Sequence, residues 1–337
     1  MRTWQVQQPG EPEQALRLAD IPTPRPGPGE VRVTVRAAAL GFPDLLLCQG
    51  KYHDKPQTPF AIGGEAAGTV QEVGGGVDES LVGCRVIVMP GQTTAGLLAE
   101  EVVVPAQRLL PLPGDMSWEQ GAALFVAYQT SHMALFRRAG LAKGETVLIH
   151  GAAGGIGSAA VQLGKAAGAR TIAVAGGADK AKACSELGAD VVVDHHEDDF
   201  VAVTKEVTGG RGADVIYDSV GGEVFDRSRK CIAVEGRLLV VGFASGTIPQ
   251  LPVNHALLKN YSVVGFRTRP FRDDPAYCRE IHDDLLRYRE KGFVQPLVDV
   301  VAFDDVPGAL RRIADRDVLG RLVVTVDRND VQVAGTV

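Results

Sequence analysis

HGAAGGIGSAA, residues 150–160, decides how this chain folds. The apolar run TVLIHG leads into it, and a small-residue helical pattern, IGSAAVQLGKAAG, leads out. A strand, a glycine loop and a helix in that order bring unpaired N–H groups and a positive dipole end in front of a phosphate. Gly154 and Gly155 let the backbone approach the phosphates, Ile156 enters the helix, and Gly157 allows close packing. Ala152 stands where a dinucleotide fingerprint usually has its first glycine. Only a left-handed backbone would demand glycine there, so a negative φ at Ala152 keeps the reading intact. A tight turn that binds nothing is the competing reading.

Outward from the loop, strands and helices alternate. RTIAVAG, ADVVVD, ADVIYDSV, RLLVVGF and YSVVGF read as strands, with SAAVQLGKAAG and KAKACSELG as helices among them. That alternation implies a parallel, doubly wound sheet. Ser117 and Gln120 form a capping box that opens a long helical stretch before it. The first third differs. After the Pro/Gly-rich IPTPRPGPGE come short β-rich segments, VRVTVRAAAL, GTVQEVG, CRVIVMP and EEVVVPA, which suggest a compact barrel-like β domain up to about residue 112. The last segment, from about residue 268, returns to mixed helix and strand, and the tail from Arg328 reads as polar and frayed.

Composition narrows the function classes. The 337 residues carry 35 Lys and Arg against 41 Asp and Glu, a net charge of −6. That balance argues against nucleic acid as partner, and no apolar run is long enough for a membrane. Five scattered cysteines, Cys48, Cys84, Cys184, Cys231 and Cys278, without a CxxC, fit reduced thiols in a cytoplasmic enzyme.

The second strand of the alternating region reads on cofactor choice. An NAD site wants an acid roughly 20 residues past the loop. Between Glu145 and Asp179 there is no Asp or Glu. Gly176 and Gly177 leave room, and Lys180 offers a cation to a 2′-phosphate, so the expected cofactor is NADPH. His195 and His196, just after the next strand, are candidates for the same pocket, with simple surface exposure as the alternative.

Four stretches, FAIGGEAAGTVQEVG (60–74), GAAGGIG (151–157), YDSVGG (217–222) and LLKNYSVVGF (257–266), carry a resemblance. In their order and spacing the chain resembles the medium-chain dehydrogenase/reductase superfamily, and within it the zinc-independent NADPH:quinone oxidoreductases. The resemblance implies a GroES-like β-barrel domain from residues 1–124 and 268–337, and a Rossmann domain from 125–267 with the active site between them. It implies that Thr130 contacts the nicotinamide end, that Ser219 and Gly242–Phe243 line the cofactor, and that Tyr52 sits at the substrate end as hydrogen-bond or proton donor. A cleft-wall aromatic is the bland reading of Tyr52. Where the alcohol dehydrogenase branch has a zinc-binding Cys and His, this chain has Gly41 and Gly64, and the lobe with four close cysteines is absent, so no metal is expected. Gly41 also replaces an Asn frequent among the quinone reductases, which weakens any transfer of substrate preference. Asp44 is retained and reads as a helix cap.

The function so implied is zinc-free hydride transfer from NADPH to a small electrophile, a quinone or an α,β-unsaturated carbonyl. Alternatives are an enoyl-thioester reductase, with Arg267, Arg269 and Arg272 as candidate phosphate contacts, and an NADPH-binding sensor with little turnover. A homodimer joined through the Rossmann sheet edge near Val263 is expected from the same resemblance.

Overall fold

A computed structural model describes residues 1–89 and 96–326; the polar tail from Arg328 lies outside the described residues. The chain divides into two compact units, one of residues 1–123, 300–317 and 322–337, the other of 124–299 and 318–321. Residues 268–299 thus fall in the second unit.

The first unit is antiparallel. It begins with β1 (Arg2–Val6), a single-turn α1 (Pro12–Ala15), β2 (Leu16–Asp20) and the long β3 (Glu30–Leu40). Then come α2 (Phe42–Cys48), β4 (Phe60–Ala61), β5 (Glu65–Val73), β6 (Arg85–Val88), β7 (Glu101–Pro105), β8 (Leu109–Pro111) and α3 (Trp118–Ala122). β3 organises them: it pairs β5 on one edge, while β7 and the last of the described strands, Arg321–Thr325, share the other. It shifts register against β5 after Arg32 and after Val35. Such bulges sharpen twist and let one strand serve several partners. Its residues Ala37, Ala38 and Ala39 are fully buried, small enough for sheet and helix to close on them.

The second unit opens with an irregular helical run that includes α4 (Thr130–His132), flanked by π-helical turns over Phe125–Gln129 and Met133–Arg138. The capping box of Ser117 and Gln120 is present, but it starts only α3, which ends at Ala122, one residue before the division between the units. Strands and helices then alternate: β9 (Thr146–His150), α5 (Gly155–Ala166), β10 (Arg170–Ala175), α6 (Ala178–Glu186), β11 (Val191–Asp194) and α7 (Phe200–Val207). They continue as β12 (Ala213–Asp218), α8 (Gly222–Ser228), β13 (Ile232–Val240), α9 (Val253–Lys259) and β14 (Ser262–Gly265). All pairs are parallel, in the order β11-β10-β9-β12-β13-β14. This is the doubly wound Rossmann order, whose strand order reverses between β9 and β12 and opens a crevice at the strands' carboxyl ends. Leu148, Ile172, Val174, Val193, Ile216 and Leu238 fill the core of this unit, as strands covered on both faces require. Helices α10 (Arg269–Arg272) and α11 (Pro275–Glu290) follow, then β15 (Val298–Ala302), α12 (Val306–Ala314) and β16 (Arg321–Thr325), which returns to β3. No helix among the described residues is long and apolar enough to cross a membrane.

Candidate functional site: a dinucleotide cradle at the carboxyl ends of the strands

The loop after β9 is shaped by its glycines, though not in the positions the fingerprint suggests. Gly151 takes φ +62, a conformation other residues seldom adopt, whereas Ala152 is fully buried and is not among the positive-φ residues. The left-handed step therefore falls one residue earlier than the missing glycine, and an alanine fits. A Cβ on Gly157 would stand 2.0 Å from the Gly151 carbonyl oxygen and 2.9 Å from Ala152 Cα, so only glycine lets the first turn of α5 close on the loop. A Cβ on Gly154 would meet that same carbonyl at 3.3 Å, a milder contact. Gly154 is the N-cap, in an extended conformation without a capping side chain. The amides of Gly155, Ile156 and Gly157, first in a twelve-residue helix, thus have no acceptor within it and are available to an anion.

Neighbouring elements hold this cradle. The Ser131 hydroxyl, next to Thr130, donates to the Ile156 carbonyl at 2.8 Å and shares a contact of 3.1 Å with the Tyr217 hydroxyl. Ser219 Oγ donates to the His150 carbonyl at 3.2 Å, and the Ser219 carbonyl accepts from Ala244 N at 3.0 Å. Phe243 closes over the Gly221 backbone, where a Cβ would come within 2.9 Å of its ring. Ser219, Gly242 and Phe243 therefore meet beside the glycine loop. The turn beneath Ser219 is built by Asp218, whose Oδ1 accepts from Val220 N at 2.8 Å and Gly221 N at 2.9 Å. Its Oδ2 is buried without a hydrogen-bond partner among the described residues, and burial raises the carboxyl above its usual value.

At the end of β10 the candidate 2′-phosphate groups converge. A Cβ on Gly176 would lie 2.7 Å from His195 Nε2 and 3.1 Å from His196 Nε2, so both imidazoles flank the bare backbone. Their rings stand edge to face, 4.6 Å between centroids, and both residues are exposed. Both imidazoles are thus solvent-exposed and adjacent to Gly176. The carboxylate of Asp194 accepts from Gly177 N at 2.9 Å and His196 N at 3.0 Å, bonds that keep its pKa low and fix the turn carrying the histidines. Lys180 lies half-buried in the first turn of α6.

Three contributors escape a local reading of the sequence. Gly320 N donates to the Ala153 carbonyl at 2.7 Å, and the stem of Arg321, a buried residue, passes 3.3 Å from a Cβ position on Gly155. Both come from more than 160 residues downstream, where GRLVVTV reads only as a strand. The third is His150, 2% exposed, whose Nε2 lies 2.8 Å from Ser228 Oγ. Burial, with His195 and Arg227 nearby, pushes its pKa down to about 3. The one signal for it was a polar residue ending an otherwise apolar strand.

Tyr52 belongs to the other unit. It is half-buried, its amide donates to the Leu46 carbonyl of α2 at 3.1 Å, and its ring lies 4.0 Å from that of His53. In the same unit Asp44 does more than cap α2: Oδ2 accepts from Gly41 N at 2.8 Å and Oδ1 from Gly63 N at 2.9 Å. It thus ties together the two loops in which Gly41 and Gly64 lie. Glu65 is fully buried. Among the described residues no group of three His, Cys, Asp or Glu side chains is placed to hold a metal ion. Of the arginines considered for an acyl-carrier phosphate, Arg269 and Arg272 bound the short α10, with Arg267 just before it.

Known proteins share this fold. Residues 27–114 match the family described as alcohol dehydrogenase GroES-like domain, and residues 155–282 the family described as zinc-binding dehydrogenase. A quinone oxidoreductase-like protein 2 homolog of Nematostella vectensis is 38% identical over 301 residues, 88% of this chain and 82% of that one. The chain belongs to the medium-chain dehydrogenase/reductase superfamily, among its quinone oxidoreductase-like members. It is an oxidoreductase. Solved structures extend the match to the whole fold. The Escherichia coli quinone oxidoreductase in complex with NADPH superposes with a TM-score of 0.89 at 28% identity, over 97% of this chain and all (100%) of that one. A probable oxidoreductase from Mycobacterium abscessus gives 0.85 at 35% identity, over 97% and 99%. The GroES-like fold of the first unit and the Rossmann fold of the second, expected from the sequence, are those of this superfamily.

Proposed function

We propose that the protein is a zinc-independent reductase that takes hydride from NADPH and delivers it to a quinone or an α,β-unsaturated carbonyl. The observation that carries the cofactor choice is the end of β10. There Gly176 is bare, His195 and His196 flank it, Lys180 begins the next helix, and the nearby carboxylate of Asp194 is taken up by two backbone amides. A 2′-phosphate finds donors and cations there, where an NAD site would present an acid to the ribose. The residues suit the rest of the dinucleotide as well. The amides of Gly155, Ile156 and Gly157, with Arg321 beside them, would hold the pyrophosphate. Thr130 would contact the nicotinamide end, and Ser219, Gly242 and Phe243 would line the cofactor. When bound, the nicotinamide supplies the hydride. Tyr52 would donate a hydrogen bond, or a proton, to the acceptor oxygen as charge builds there.

Zinc independence rests on chemistry at two positions. Gly41 and Gly64 have no side chains to ligate, and Gly41 N is already bonded to Asp44. Without a Lewis acid an alcohol lacks activation, whereas a conjugated carbonyl is already electrophilic. The protein is proposed to work as a homodimer joined along β14, one of the two edge strands of the Rossmann sheet among the described residues.

An acceptor screen with purified protein, following NADPH absorbance, tests this reading. Turnover is expected with a quinone or an enone, at least about tenfold better with NADPH than NADH, and unchanged after dialysis against a chelator. Tight NADPH binding with no turnover on any acceptor would make the protein a sensor. Stoichiometric zinc whose removal abolishes activity would overturn the metal-free mechanism.

A further inference from the structure

Opposite the cradle lie the amino ends of the Rossmann strands, and a cavity of ≈ 280 Å³ opens there. Gly212, just before β12, lines it; Ser219, just after β12, lies at the glycine loop. Six extended residues separate the two, a distance of about 20 Å. The cavity is therefore separate from the dinucleotide cradle.

Its walls are cationic. Lys205 comes from the last turn of α7, Lys230 from just past α8, and Lys259 from the end of α9; Arg211 stands between them, and no lining residue is acidic. These cations are not equally available. Arg211 is held by Asp214 through both guanidinium nitrogens. Lys259 Nζ lies 3.4 Å from the carbonyl oxygens of Arg229 and Lys230. The ammonium groups of Lys205 and Lys230 pair with no carboxylate among the described residues, and both residues are exposed. Three helices end here, and cations near a helix carboxyl end also answer its dipole. Each end carries about half a negative charge, so three ends offset only about half of three ammonium charges. A positive surplus remains. The floor is apolar, formed by buried Cys231 and Ile232, and Val234 stands at the rim, 69% exposed. Burial pushes the Cys231 thiol up to about 11, while Lys205 and Lys259 are close enough to pull the other way.

We propose that this cavity is a second anion site, which takes a small phosphate monoester with its phosphate among Lys205, Lys230 and Lys259 and its apolar part over Ile232 and Val234. The volume suits a molecule of that size. The amine walls supply the charge and the floor supplies a dry surface, a pairing that free inorganic phosphate would use only in part.

Titration calorimetry with phenyl phosphate, at fixed ionic strength and on the full chain, tests the assignment. One equivalent is expected to bind with a Kd of about 1 mM or tighter, more tightly than inorganic phosphate. Saturating NADPH is expected to leave that binding unchanged. Lys205→Gln is expected to weaken it about tenfold or more, the worth of one charged contact. Val234→Glu, which places a carboxylate at the exposed rim, is expected to weaken it as well. The site is overturned if no saturable binding occurs, if NADPH displaces the probe, or if both variants bind it like the parent. Equal affinity for phenyl phosphate and inorganic phosphate would overturn the part assigned to Ile232 and Val234. Because these results do not require NADPH to bind, they fail or stand separately from the cofactor reading.

Discussion

Lys180→Glu exchanges a cation for a carboxylate in the first turn of α6, four residues past the bare backbone of Gly176. If the 2′-phosphate lies between Lys180 and the two histidines, the change removes an attraction and adds a repulsion. A charged contact is worth roughly 1.5–3 kcal/mol, so NADPH affinity is expected to fall about tenfold to a hundredfold or more while NADH affinity stays near its parent value. Fluorescence titration with both cofactors checks it; an equal loss for both would show that Lys180 does not read the phosphate. His150 offers a second test at this scale. Its pKa is about 3 in the fold, depressed by burial first and by His195 and Arg227 next, against about 6.5 in the unfolded chain. The unfolded state therefore takes up the proton first as pH falls. Stability present above pH ~6.5 is lost progressively toward pH ~3, amounting to roughly 2 kcal/mol by pH 5. Burial depresses His132 in the same direction, to about 4. Denaturant unfolding at pH 7.5 and pH 5, compared between parent and His150→Gln, isolates the His150 share: the variant is expected to lose about 2 kcal/mol less than the parent over that interval.

At the scale of elements, residues 318–321 act as a latch on the glycine loop. Gly320 takes φ +70, and a Cβ there would stand 2.2 Å from the Leu297 carbonyl oxygen. Gly320→Ala is therefore expected to lift the segment, break the bond to Ala153 and carry Arg321 away from α5. NADPH affinity is expected to fall by about tenfold or more, the worth of one charged contact. Gly188→Ala is the control: φ is +87 there but nothing lies within 4 Å, so it carries left-handed strain alone, about 1–2 kcal/mol. If both variants bind NADPH alike, the latch has no part in the site. This latch also shows what the sequence could and could not reveal. The strands around TVLIHG announce themselves because each is a short apolar run bounded by glycine or a polar turn, a local signal. The close approaches at Gly157 and Gly176 are legible because crowding against the backbone leaves glycine as its mark. Gly320, Arg321 and the buried oxygen of Asp218 left none, since their meaning lies in contacts between segments far apart in the chain. The sequence from Ser117 reads as one long helical stretch. Its apolar pattern is helical throughout, and periodicity does not register the π-helical turns or the division after Ala123.

At the scale of the whole molecule, the Rossmann sheet ends on β14, which pairs only with β13 among the described residues. Ser262, Val263 and Gly265 of that strand are exposed. Beside it α9 carries three apolar side chains to solvent, Val253 at 74%, Leu257 at 74% and Leu258 at 76% exposure. Scattered apolar residues on a surface are ordinary, but three on one seven-residue helix just before an edge strand concentrate apolar surface there. An open edge with apolar neighbours is a liability unless something covers it. A second copy related by a twofold axis covers both edges at once, because β14 can pair with its own counterpart and the two α9 helices can bury each other's leucines. Light scattering at micromolar concentration is therefore expected to give twice the chain's mass of 35.7 kDa. Val263→Asp puts a charge on the strand that would be paired, and Leu257→Glu puts one on the helix beside it. Leaving a charge unpaired in a buried interface costs several kcal/mol, enough to move a dimer to monomer at that concentration. Each variant is expected to run as a folded monomer with its NADPH affinity retained, since neither residue belongs to the cradle. A parent that is monomeric, or two variants that both remain dimeric, would remove β14 from the interface.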